Sequence, residues 1–154
     1  MAVVGSGGQA GTGAPRDAER ADRRSVVVQV GARAGELPPL RVVAADLAAR
    51  ADFDLDAVAD LRLAVDEAAS ELVAVAAPQA VLTCTFFLDP GQMEVTASVP
   101  ARPGATLRPD SFGWRVLTTL VDEVRVVGDP RAEPPVVGIS LCKRRSAKAV
   151  TESR

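Results

Sequence analysis

The chain has 154 residues, a length that fits one domain and buries enough surface to need no disulfide staples. It is 47% hydrophobic and 25% charged, with no His, no Tyr and one Trp, which excludes a Ser-His-Asp triad and a His-ligated zinc site and leaves little aromatic surface for stacking nucleotide bases. The net charge of −2 argues against direct nucleic-acid binding, because such domains are usually strongly basic.

No apolar run has the length of a membrane span. The N-terminus lacks the charged-then-apolar order of a signal peptide. A cytoplasmic protein without membrane contact is therefore expected. Cys84 and Cys142 are the only two cysteines. They read as reduced thiols, most simply as small buried hydrophobes. By strand pattern Cys142 shares a side with Gly138 and Ser140 and is expected to be the more accessible, which leaves a redox-gated binder as one reading.

Residues 1–24 read as a disordered tail, rich first in Gly and then in alternating charge, with too little apolar surface to repay ordering. Ser25 to Val30 is a Val-rich strand. Pro38 and Pro39 open a helix, with Leu40, Val43, Ala44 and Leu47 on one face and an end near Arg50. Asp54 or Asp56 caps a second helix, from about Ala57 to Ala76, whose apolar stripe is Val58, Leu61, Val65, Ala68 and Leu72. Leu82 to Leu88 and Met93 to Val99 alternate apolar and polar residues on either side of Asp89-Pro90-Gly91, a β-hairpin signal. After a Pro/Gly-punctuated loop, Asp110 or Ser111 caps a third helix carrying Phe112, Val116, Leu117 and Leu120. Val124 to Val127 and Val136 to Cys142 are the last strands. Residues 146–154 read as a second disordered tail, and 25–145 as the domain.

The order is β-α-α-β-β-α-β-β. It predicts an α+β, two-layer sandwich with a mixed, mostly antiparallel sheet and helices on one face.

The second helix carries the unusual chemistry. Asp60, Glu67 and Glu71 lie at i, i+7, i+11, on one side, with Asp66 and Ser70 beside them. Like charges at i, i+4 cost a few tenths of a kcal/mol. Composition alone favours a solvated outer face. The functional alternative is a carboxylate near a metal-bound phosphate, placed to accept a hydroxyl proton or orient water.

The string Leu61-Arg62-Leu63-Ala64-Val65-Asp66-Glu67-Ala68 resembles the N-box helix of the RsbW-type anti-sigma factors. These are small serine-protein kinases of the GHKL (histidine-kinase-like) ATPase superfamily. Leu40-Arg41-Val42, Ser111 to Leu117 with Leu120 to Val124, and the strand Gly138 to Arg144 extend the resemblance over roughly residues 25–145. It implies the GHKL sandwich and a role holding an alternative, stress-type sigma factor inactive until an anti-anti-sigma protein competes for it. It also implies ATP and Mg²⁺, phosphorylation of a serine on that antagonist, and homodimers.

Residue by residue, Glu67 matches the family's general base, and Arg41 a position near the partner surface. Glu71 stands where the family places an Asn that helps hold Mg²⁺, so Glu71 becomes the metal-ligand position. With Glu67, Gly104 and Gly113 it makes up the nucleotide set that the resemblance carries over. The Asp-x-Gly-x-Gly box is represented by Ala97 to Gly104, which has no acid and one Gly. The last Gly-rich box keeps only Gly113. These departures favour an anti-sigma factor with a degenerate ATP site over an active serine kinase.

Overall fold

The computed structural model describes residues 2–5 and 23–146. Six strands and three α-helices follow one another in the order β1 (Ala2–Gly5), β2 (Arg24–Gly31), α1 (Pro38–Arg50), α2 (Leu55–Val75), β3 (Val81–Asp89), β4 (Gln92–Pro100), α3 (Phe112–Leu120), β5 (Glu123–Asp129) and β6 (Val136–Arg144). The strands form one sheet in the order β1-β2-β3-β4-β6-β5, and every described pairing is antiparallel. The expected sandwich is present. Its sheet is antiparallel in every described pairing rather than mixed.

One face of the sheet carries the core. Val28 and Val30 on β2, Leu82, Cys84 and Phe86 on β3, Met93, Val95, Ala97 and Val99 on β4, and Ile139 and Leu141 on β6 are buried at alternate positions. Side chains two apart in a strand share a face, so this alternation points one row at the helices. α1 and α2 pack on each other, and α2 lies across β3, β4 and β6. Leu40, Ala44 and Ala48 of α1 and Leu61, Ala64, Val65, Ala68, Ala69 and Leu72 of α2 complete the core. The many alanines let the two helices approach closely, which explains a layer built with almost no aromatic residues.

The helix boundaries have local causes. Pro38 and Pro39 occupy the first turn of α1, where a missing N–H leaves no bond unmade. Asp54 caps α2, its carboxylate accepting from the Ala57 N–H at 2.8 Å. Ser111 caps α3 through the Trp114 N–H at 3.1 Å. The β3–β4 turn closes on Gly91 at φ +73°, a conformation that favours glycine.

The expected N-terminal tail departs from the structure at both ends. Ala2–Gly5 pairs with Val26 to Gln29 of β2, supplying bonds to what would otherwise be the unpaired outer edge of that strand. Arg23 binds both oxygens of Asp89, reaches Glu94 at 3.3 Å and lies over the Phe87 ring at 4.3 Å. Residues 6–22 and 147–154, where the remaining tail expectations fall, lie outside the described residues. Among the described residues no helix is long and apolar enough to cross a membrane.

Candidate functional site

α2 presents Asp60, Glu67 and Glu71 along one flank, and α3 lies against that flank rather than leaving it to solvent. Nine helical residues span about 13 Å, and Asp60 to Glu71 spans about 16 Å of α2, so α3 is nearly as long as the acidic row. Its C-terminal end is held by Lys143 of β6. The Lys143 ammonium donates to the Leu120 carbonyl at 2.8 Å and to Asp60 Oδ2 at 3.3 Å. A cation on the last carbonyls of a helix complements its negative end.

The other end of α3 meets the two glutamates. Gly113 is buried, and its backbone is packed against Oε1 of both Glu67 and Glu71, so a Cβ at this position would overlap both oxygens. Two carboxylates thus converge on the N-terminal turn of a helix, where partial positive charge favours anions. Burial, the neighbouring charges of Glu71 and Asp66, and a hydrogen bond with Glu71 together raise the Glu67 carboxyl above its ordinary range. Asp66 stands beside this pair and binds Arg41 of α1, with the guanidinium Nε 3.5 Å from Oδ1. Ser70 is exposed and donates its hydroxyl to the Asp66 carbonyl, so it takes no part in the carboxylate group.

Of the expected nucleotide set, then, Glu67, Glu71 and Gly113 come together, and Arg41 lies one residue away through Asp66. Gly104 does not join them. It sits at φ +78° in the turn Arg102 to Ala105 and lines a cavity of about 530 Å³ with Leu107, Val126, Gly128 and Pro135. The cause is anchoring of the loop. Arg102 Nη2 donates to the Ala74 carbonyl at 2.6 Å, and the Ala101 N–H donates to the Pro135 carbonyl at 2.8 Å. Both bonds tie the loop between the end of α2 and the β5–β6 edge, away from Gly113.

Lys143 and Phe112 escaped the sequence reading. In the sequence Lys143 is simply the first of three consecutive basic residues, Lys143-Arg144-Arg145, and only the pairing of β6 with β4 and β5 aims it at α3. Phe112 was assigned to the apolar face of its helix, yet it is 81% exposed, because Gly113 and Leu117 are the residues that face α2 and the core.

Both thiols are buried, and Cys142 is the more accessible of the two, as expected. Cys84 is in the core, and burial pushes its thiol up to about 12. Cys142 is also buried, at 7% exposure, although it lies on the sheet face away from the helices. It sits between Glu94 and Glu123 in register, and burial raises its thiol as well. The two cysteines are on strands separated by β4 and on opposite faces, so they cannot bridge. A thiol that reacts readily needs access and thiolate character, and neither cysteine has both.

The comparisons agree with this architecture. The profile of the family described as histidine kinase-like ATPase domain matches residues 30–133. The chain is also 40% identical over 131 residues to the anti-sigma-F factor RsbW of Mycobacterium tuberculosis, covering 82% of this chain and 77% of that protein, in strains CDC 1551 / Oshkosh and ATCC 25618 / H37Rv alike. The chain belongs to the RsbW-type branch of the histidine kinase-like ATPase family. In fold it resembles the crystal structure of the RsbU and RsbW domains of Rv1364c from Mycobacterium tuberculosis, with a TM-score of 0.57 at 15% identity. That match takes in 79% of this chain and 32% of the longer one.

Membership raises the question of whether these residues fit Mg²⁺ and a nucleotide. The carboxylate ends of Glu67 and Glu71 lie at Gly113, and both are oxygen donors of the kind that Mg²⁺ takes. Gly104 lies in a different cavity. The nucleotide set that the resemblance carries over is therefore only partly assembled: Glu67 and Glu71 are oxygen donors able to hold Mg²⁺ beside Gly113, and Gly104 lies apart from them.

Proposed function

We propose that the protein is a partner-switching anti-sigma factor. It holds an alternative, stress-type sigma factor inactive in the cytoplasm and yields it to an anti-anti-sigma protein. The observation that carries this reading is the 40% identity over 131 residues to a protein whose name states that activity. Binding requires a folded surface, and the packing of α1, α2 and α3 supplies one without any phosphate cradle.

The contact surface in this reading centres on Arg41. It is half exposed on α1. Val42 beside it, Leu63 on α2 and Phe112 on α3 are large apolar side chains left in solvent. Exposed apolar side chains on a helix layer that also carries a guanidinium are the composition expected of a protein interface. The separation of Gly104 from Glu67, Glu71 and Gly113 favours this binding role over phosphoryl transfer to the antagonist. A homodimer, the assembly that the resemblance implies, belongs to the same proposal.

The test is co-elution of the purified chain with candidate alternative sigma factors on a sizing column, which also reports the size of the free protein. The expected result is a stable complex with one of them, weakened at least tenfold by Arg41→Ala. Absence of a complex with any alternative sigma factor of the source organism would remove the proposal.

A further inference from the structure

We propose that the free edge of β5 and the groove beside it dock an extended segment of a partner protein, which joins the sheet as a further strand. Two independent observations meet there. First, β5 stands last in the strand order and, among the described residues, pairs only with β6. The opposite edge differs, because Ala2–Gly5 lies along β2. The outward N–H and C=O groups of β5 are therefore open to another chain. Second, the cavity of about 530 Å³ that holds Gly104 runs beside this strand. Leu107, Val126, Gly128, Pro130 and Val137 line it, and no charged residue does. Val126 is 51% exposed.

Register joins the two features. Val124, Val126 and Gly128 pair with Leu141, Ile139 and Val137, and Leu141 and Ile139 belong to the core beneath the helices. A strand added to β5 sends every second side chain toward this same side, where the groove lies. Edge-strand recognition works in this way, with main-chain bonds giving affinity and alternate side chains giving specificity.

The charges of β5 specify the occupant. Glu123, Arg125, Val127 and Asp129 lie on the sheet face away from the groove. Glu123 has Arg144 at 3.3 Å, and Asp129 Oδ1 accepts from the Arg131 N–H at 3.0 Å. Arg125 is exposed and has no ion pair among the described residues. A second copy of β5 is a poor fit. Full antiparallel self-pairing sets Glu123 beside Asp129 of the second copy at both ends, and parallel in-register pairing sets every charge beside its like. Like charges directly opposite are destabilising, and charged edges of this kind resist self-association. The complementary strand carries cations opposite Glu123 and Asp129, an acid opposite Arg125, and apolar side chains at the alternate positions. The site uses neither Arg41 nor the glutamates of α2, so it is independent of the anti-sigma reading.

The test titrates the full chain into two fluorescently labelled peptides as long as β5 and records polarisation. The matched peptide, Lys-Leu-Thr-Val-Glu-Val-Lys, is written for antiparallel pairing. Its lysines fall opposite Asp129 and Glu123, and its glutamate falls opposite Arg125. The control, Glu-Leu-Thr-Val-Lys-Val-Lys, has the same composition but sets like charges against Asp129 and Arg125. The matched peptide is expected to bind saturably below millimolar, and the control about tenfold more weakly. Methylating alternate backbone nitrogens of the matched peptide, in each of the two phases, is expected to abolish binding in one phase only, because one row of amides faces β5. Arg125→Glu, at an exposed position, is expected to reverse the preference between the peptides, and Val126→Lys to weaken both. Urea unfolding checks that each variant is folded. No saturable binding of the matched peptide below millimolar overturns the proposal. So do equal affinities for the two peptides, equal losses in both methylation phases, or a preference unchanged by Arg125→Glu.

Discussion

Replacing Lys143 by Met removes the ammonium and keeps most of the aliphatic stem. Two interactions go with it. The bond to the Leu120 carbonyl, at 2.8 Å, is a charged donor on a partly buried acceptor, a class contributing about 1.5–3 kcal/mol. The contact with Asp60, at 3.3 Å, involves a carboxylate that is 37% exposed, so solvent screening holds it to about 1 kcal/mol or less. The first loss dominates, and Lys143→Met should cost about 2 kcal/mol. For a domain of this size that corresponds to a fall in Tm of roughly 4–8 °C. Asp60→Asn keeps the bond from Lys143 to Leu120 and should cost about 0.5 kcal/mol. Urea unfolding of the two variants, followed by far-UV circular dichroism and by Trp114 emission, gives both numbers. Equal costs for the two substitutions, or a cost below about 0.5 kcal/mol for Lys143→Met, would refute the view that this ammonium seats the C-terminus of α3.

Further predictions follow from the core, the acidic pair and the thiols. Phe86 is fully buried at the centre of the sheet, so Phe86→Ala should cost about 3–5 kcal/mol in urea unfolding. Glu67 holds its proton more tightly in the folded state than its ordinary value of 4.5 allows. That contribution to stability is complete below the unfolded value and is lost as pH rises through the folded one. Stability of the wild type should therefore decline relative to Glu67→Gln from about pH 4.5 upward, and identical pH profiles would contradict the environment described for Glu67. Cys84 and Cys142 should resist alkylation in the native protein at neutral pH and react at ordinary rates in urea. Rapid native labelling of Cys142 would restore the redox-gated reading.

Much of the fold was legible because periodicity is a local signal. The hairpin of β3 and β4 alternates along its strands, and α2 repeats its apolar residues over about four turns, so both are legible to within two residues of their ends. β1 was not legible. A four-residue strand, Ala2–Gly5, has too few positions to show a period, and its order depends on an edge supplied by β2. The acids of α2 were correctly put on one side, but their partner could not be seen. The spacing of Asp60, Glu67 and Glu71 states which face they share and says nothing about what covers it. Whether such a face is solvated or packed depends on α3, forty residues later. Gly104 shows the converse limit. Similarity of order suggested a cradle residue, while two tertiary hydrogen bonds, from Arg102 and Ala101, direct its loop elsewhere. Cys142 is the more accessible thiol, as its strand pattern predicts, yet between Glu94 and Glu123 on the neighbouring strands it is still buried.

The central claim is that this chain acts as a binding protein whose affinity is independent of nucleotide. Calorimetric titration of the cognate stress-type sigma factor, with and without Mg-ATP, tests it most directly. The account predicts tight binding with the same Kd in both conditions. A requirement for Mg-ATP, or a Kd shifted tenfold or more by it, would contradict the account and make phosphoryl transfer to the antagonist the next reaction to measure.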